Sequence, residues 1–285
     1  MRLMRIGAEG SERPVVRLTD ETYIDVSDVI GDFNEEFFGR GMDRLRSLVT
    51  ERANSGDGAQ FDGDRIGAPI ARPHQILCIG LNYSDHAAET GQEVPGEPIL
   101  FTKSPNTLVG PNDEVRIPRG CIKPDWEVEL GVVIGRRCRY LENEAEAAAA
   151  IAGFVVVNDV SARDFQIERG GQWSKGKSAE TFNPCGPQLV TPDEVLDVLN
   201  LGMWLDVNGQ RRQTGSTATM IFSPAYIVHY LSQFMVLEPG DLINTGTPPG
   251  VGMGMKPPVW LQPDDVIDLG IDGLGTQRQV VIGPR

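Results

Sequence analysis

What the chain lacks narrows what it can be. Its four cysteines, Cys78, Cys121, Cys138 and Cys185, are scattered without a CxxC pair. That leaves no zinc spacing and reads as reduced, inert thiols in a cytoplasmic protein. No apolar run approaches the roughly 20 residues of a membrane span, and the N-terminus has no signal-peptide apolar segment. Basic residues are outnumbered, 26 Lys and Arg against 40 Asp and Glu, for a formal charge of −14. Nucleic acid and anionic membrane surfaces are therefore not expected as partners, and an anionic substrate must be drawn in by local positive groups or a metal. What remains is an ordinary globular composition, 285 residues with 40% apolar content, enough for one large domain or a large and a small one.

The most informative stretch is Asp125-Trp126-Glu127-Val128-Glu129-Leu130, running into Gly131-Val132-Val133-Ile134-Gly135. With strand period, Trp126, Val128 and Leu130 point one way and Glu127 and Glu129 the other. Two carboxylates on one face repel, so something positive should sit between them, and oxygen ligands suit a hard divalent cation. A lone E-x-E is ordinarily a solvated strand edge. Here, however, Val132-Val133-Ile134 reads as buried, and a second apolar run, Phe154–Val157, ends at Asn158-Asp159. Glu127, Glu129 and Asp159 are taken as a metal site. With no histidine or cysteine beside them, Mg²⁺ or Mn²⁺ is expected over Zn²⁺.

Residues 1–70 read as a small separate unit and 71–285 as the catalytic domain. Pro14–Leu18 and Thr22–Val26 form a hairpin, and Asn34 caps a helix through Phe37, Leu45 and Leu48 that stops near Asn54-Ser55-Gly56. Gln75–Gly80 is a buried strand leading into a one- or two-turn helix between Ser84 and Gly91. His86 and Glu89 share one face of it, as a solvated pair, a cap or an acid/base dyad on a lid. Lys103 closes another strand. Residues 142–151 are an alanine-rich structural helix. Gly176-Lys177-Ser178 is not read as a P-loop, because no apolar strand leads into it. Pro-led turns recur at Pro239, Pro263 and, more faintly, Pro111. The Gly/Pro-rich loop from Thr245 to Gly254 is either a carboxylate cradle involving Thr247 or an ordinary tight loop.

From about residue 73 onward, GLNYSDHAAE, DWEVELGVVIG, VVNDVSARDFQ, GKSAETFNPCGP and INTGTPPGVG occur in this order. Together they resemble the fumarylacetoacetate hydrolase superfamily, and GVGMGMKPP with GQWSKGKS looks closest to its 2,4-diketo-3-deoxy-L-rhamnonate and -fuconate hydrolases, often labelled ureidoglycolate lyase. The resemblance implies a β-rich α+β fold, a roll of mixed sheets behind a small N-terminal α/β extension, and a homodimer. It puts Glu127, Glu129 and Asp159 on the Mg²⁺/Mn²⁺ ligands, and His86 and Glu89 on a water-activating dyad. Lys177 and Thr247 fall on substrate-holding positions, and Tyr83, Lys103, Arg163 and Gln166 are expected to bind substrate. Glu180 departs from the pattern, standing where many members carry Asp.

The chemistry so implied is hydrolysis of the C3–C4 bond of a 2,4-diketo acid to pyruvate and a carboxylic acid such as lactate. Decarboxylation of oxaloacetate and isomerisation of a hydroxymuconate-type diacid need the same metal-bound 2-oxo acid but no attacking water. A non-catalytic 2-oxo acid binder would need no base.

Overall fold

A computed structural model describes residues 1–85 and 93–284. Its centre is the strand Val128–Ile134, every residue of which is buried. The alternation expected of it is present. Trp126, Val128, Leu130 and Val132 pack into one core with Leu205 and Leu269, while Val133 packs into a second core with Val155, Val157 and Leu242. Two cores require cover on both faces, which is why this segment reads as nearly continuous apolar sequence apart from its two glutamates.

The large sheet runs Ala59–Gln60, Thr22–Asp25, Arg13–Arg17, Arg2–Ile6, Leu189–Val190, Ile151–Asn158, Val128–Ile134, Leu242–Asn244, Ile76–Gly80 and Ile99–Lys103, with Ile66–Gly67 pairing beside Arg2–Ile6. Most neighbours are antiparallel, but Leu242–Asn244 and Ile76–Gly80 run parallel. A second sheet of Gln210–Ser216, Gly202–Val207, Val266–Ile271, Gly275–Ile282 and Val115–Arg116 covers the Leu130 face. This is the β-rich α+β architecture expected from the sequence.

The N-terminal hairpin forms where expected, with Val16 opposite Ile24. Yet Arg2 and Leu3 pair with Val190 and Leu189, so one sheet runs straight across the boundary drawn at residue 70. Leu3, Phe37 and Leu45 share a core with Val133 and Leu242. Asn34 does cap a helix, accepting from Phe37 N at 3.0 Å. That helix, however, is two, Glu35–Arg40 and Met42–Asn54, broken at Gly41, whose N–H closes on Phe37 O at 2.5 Å. The alanine-rich helix is shorter than expected, Glu144–Ala148, because the next strand already begins at Ile151.

The Pro-led turns share one hydrogen-bond pattern. Gly110, Glu238 and Gln262 each donate their N–H to the carboxylate three residues on, at 2.7, 2.8 and 2.7 Å. Asp113, Asp241 and Asp265 return their own N–H to the same residues' carbonyls. The X-Pro-x-Asp spacing is a turn that satisfies both ends of itself.

All four cysteines are free thiols. Among the described residues no helix is long and apolar enough to cross a membrane.

Candidate active site

Register brings the three carboxylates together. Val128 lies opposite Asn158 and Glu129 opposite Val157, so the next pair outward is Glu127 and Asp159, and Asp159 N donates to Glu127 O at 2.9 Å. Opposed residues of an antiparallel pair point to the same side. One oxygen from each of Glu127, Glu129 and Asp159 lies within 4.8 Å of the others, and all three residues are buried.

Three cations answer them. Lys177, at the end of the short helix Trp173–Lys177, places Nζ 2.5 Å from Glu127 Oε2 and 2.8 Å from Asp159 Oδ2. Arg163 donates from Nη2 to Glu127 Oε1 at 2.5 Å, from Nε to Asp125 Oδ2 at 2.8 Å and from Nη1 to Gln166 Oε1 at 3.1 Å. Lys103 Nζ donates to Asp159 Oδ1, and to the carbonyls of Val160 at 3.2 Å and Phe182 at 2.6 Å. The Lys177 helix reaches in because Gly176 lies against the neighbouring helix Arg163–Ile167. A Cβ there would stand 2.5 Å from Gln166 Cβ and 2.6 Å from Ala162 O.

Glu129 is the exception. Among the described residues it has no cation partner, only Gly246 N donating to its Oε2 at 2.8 Å. Gly246 has φ +98, and a Cβ on it would meet Asn82 Cβ at 2.9 Å. Only glycine brings its N–H to that carboxylate. Burial, followed by the charges of Asp159 and Glu127, pushes the Glu129 carboxyl well above its ordinary value. For Glu127 burial acts in the same direction, but Arg163 and Lys177 outweigh it and hold the group down at about 2. Burial lowers the Lys103 ammonium more than Asp159 raises it. Lys177, between two carboxylates, is raised despite its burial.

Among the described residues the donor set fits a hard divalent ion: three carboxylates, no nitrogen or sulfur ligand, and one carboxylate without a cation partner. A cavity of about 100 Å³ opens onto Glu127 and Glu129, lined also by Gly80, Phe101, Arg163, Gln166, Trp173, Lys177, Thr247 and Met253, with Asp159 buried behind it. A larger one, about 560 Å³, lies between the N-terminal strands and the second sheet and contains none of these charged groups. Glu127 and Glu129 border the smaller cavity and not the larger one.

Of the expected substrate residues, Arg163, Gln166, Lys177 and Thr247 line this cavity. Tyr83 does not. It is fully buried with its hydroxyl on Met203 Sδ at 3.1 Å, because its side chain turns into the core between the sheets. Lys103 stands behind Asp159, committed to one carboxylate and two carbonyls rather than open to substrate. The Thr247 hydroxyl donates to Val128 O at 2.9 Å and accepts from Gln213 Nε2 at 2.8 Å, so its proton is spent inside the loop. Glu180 faces Arg116 at the surface. His86, Glu89 and the rest of the expected lid to Gln92 lie outside the described residues. The segment leading to them is anchored, since Asn82 donates to Phe222 O at 3.0 Å and Thr245 O at 2.8 Å and accepts from Phe222 N.

Two functional positions were missed by sequence reasoning. Asp125 accepts from Gly252 N at 2.7 Å, Met253 N at 3.1 Å and Arg163 Nε, tying the cavity wall to the arginine. It has the same strand parity as Glu127 and Glu129, which was a usable signal. Gln213 bridges Val128 N and Thr247, and nothing local in the sequence marks it.

A protein of Burkholderia multivorans, named only as a hydrolase, is 49% identical over 292 residues, covering 100% of both chains. The fumarylacetoacetate hydrolase of Exiguobacterium antarcticum is 35% identical with a TM-score of 0.85 over 99% of each chain. The maleylpyruvate hydrolase of Sphingobium sp. SYK-6, solved with manganese(II) and pyruvate, is 26% identical with a TM-score of 0.82 over 100% of each chain. The model of the fumarylacetoacetate (FAA) hydrolase C-terminal domain matches residues 75–282, and the chain belongs to that family.

Proposed function

We propose that the chain is a divalent-metal-dependent hydrolase that cleaves the C3–C4 bond of a 2,4-diketo acid, of the 2,4-diketo-3-deoxy sugar-acid class, to pyruvate and a carboxylic acid such as lactate. The observation that carries this reading is the convergence of Glu127, Glu129 and Asp159, two of which, Glu127 and Glu129, border one cavity with Lys177 and Arg163. Four buried carboxylates, counting Asp125, face three cations. A divalent ion would turn the cluster's single negative charge into a single positive one, which the carboxylate of a 2-oxo acid neutralises. The kinship with a hydrolase solved with manganese(II) and pyruvate supports the same assignment.

Glu127, Glu129 and Asp159 would hold Mg²⁺ or Mn²⁺, which supplies Lewis acidity for negative charge growing on the 2-oxo oxygen. Lys177 adds positive charge at the substrate carboxylate, and Arg163, fixed by Asp125, keeps Glu127 ionised. Glu89, oriented by His86, takes a proton from water as its oxygen bonds to C4. The C3–C4 electron pair passes to C3 as the pyruvate enolate, which is then protonated, and the acyl fragment leaves as its acid.

Pyruvate release from a panel of acylpyruvates and 2,4-diketo-3-deoxy sugar acids, with EDTA and with Mg²⁺ or Mn²⁺ restored, tests this. Turnover lost with EDTA and regained with metal is expected. Full activity without metal, or turnover only of oxaloacetate or a hydroxymuconate-type diacid, would overturn it.

A further inference from the structure

We propose that Lys177 is the resident counter-cation of the carboxylate cluster, that a divalent metal displaces its ammonium from Glu127 Oε2 and Asp159 Oδ2, and that the displaced ammonium then receives the substrate carboxylate. The inference rests on the metal reading above. Both oxygens of two of the three ligands are already held by cations: Glu127 by Arg163 and Lys177, Asp159 by Lys103 and Lys177. A metal held by these carboxylates would share Glu127 and Asp159 with an ammonium 2.5 Å from Glu127 Oε2 and 2.8 Å from Asp159 Oδ2. In a buried site the repulsion between the two cations is strong.

Of the three cations, Lys177 is the one placed to yield. Arg163 is locked by Asp125 and Gln166, and Lys103 by the Val160 and Phe182 carbonyls. Among the described residues Lys177 has beyond the two carboxylates only the Asp159 carbonyl, at 3.3 Å, and the face of Phe101, whose centroid is 5.3 Å away. It ends a five-residue helix and lines the cavity, whereas Lys103 does not. An ammonium leaving these oxygens has the cavity to enter. The same side chain therefore opposes the metal and, once displaced, favours the anion.

Isothermal titration of the full chain with Mn²⁺ alone, and then of the Mn²⁺-loaded protein with oxalate, separates these two roles. Lys177→Met is expected to bind Mn²⁺ roughly tenfold more tightly than wild type and oxalate roughly tenfold more weakly. Lys177→Arg, which keeps the charge, should bind Mn²⁺ about as wild type does. If Lys177→Met does not fold, Lys177→Gln keeps the donors without the charge and should shift both affinities the same way as Met. Weakening of both affinities together, or Mn²⁺ affinity unchanged in the uncharged variants, would overturn the inference and leave the metal site standing. A wild-type chain that takes up no Mn²⁺ would instead remove the metal reading, and the inference with it.

Discussion

In the N-terminal hairpin Arg13 reaches Asp25 and Asp64 with side chains 37–44% exposed. At the cavity Arg163 reaches Asp125 and Glu127 with all three side chains at 8% exposure or less. The pairs look alike on paper, yet they differ in what holds them. Around the N-terminal strands water can replace either partner, so each pair contributes little. In the cluster, removing one partner leaves the other buried and short of a counter-charge.

The largest expected effect comes from breaking the buried set. Asp159→Asn leaves the ammoniums of Lys103 and Lys177 short of a carboxylate each. Urea unfolding of the metal-free protein should show a loss of about 3–5 kcal/mol, with pyruvate release abolished. A loss below about 1 kcal/mol would mean that water reaches the cluster. Next comes Glu89→Gln, which keeps the shape of the proposed base but not its proton affinity. Hydrolysis should fall by about 10²-fold with oxalate affinity nearly unchanged, and near-wild-type rates would place the base elsewhere.

The exposed side of the comparison is tested by Arg46→Ala. Arg46 pairs with both oxygens of Asp193 at 3.0 and 3.2 Å, but the side chains are 43% and 52% exposed. The change should cost no more than about 1 kcal/mol, and a cost equal to that of Asp159→Asn would erase the distinction drawn here. The smallest effect is the pH response of His74. Its pKa is raised from the ordinary 6.5 by its hydrogen bond to Glu35 at 2.7 Å. The stabilisation is therefore complete below pH 6.5 and lost as pH rises through the raised value. With both side chains more than half exposed, it amounts to a few tenths of a kcal/mol. Chemical denaturation from pH 5.5 to 8.5 should show that increment vanish in His74→Ala.

Local periodicity made much of the molecule legible. The two-residue period that separates Glu127 and Glu129 from Trp126, Val128 and Leu130 is a property of any strand, and so it survived into the fold. The Asn34 cap and the X-Pro-x-Asp turns were readable for the same reason, since their donors and acceptors lie within three residues of each other. Lys103 and Tyr83 were misjudged because a side chain's neighbours depend on residues 50 to 120 positions away: Asp159 for the lysine and Met203 for the tyrosine. The break at Gly41 arose where the N-terminal helices bend back onto the sheet.

Sequence alone determined the carboxylate face, the apolar strand that carries it and the absence of nitrogen and sulfur ligands beside it. It also called for something positive between the carboxylates. Only the tertiary structure decided that the ammonium of Lys177 stands between Glu127 and Asp159, that Asp125 holds Arg163 in place, and that among the described residues Glu129 has no cation partner. It likewise decided that the first 70 residues continue the large sheet through Leu189–Val190. The reason is physical. Strand period and turn chemistry act over a few residues, whereas charge pairing in a dry interior is set by which distant segments the packing of two sheets brings within 3 Å.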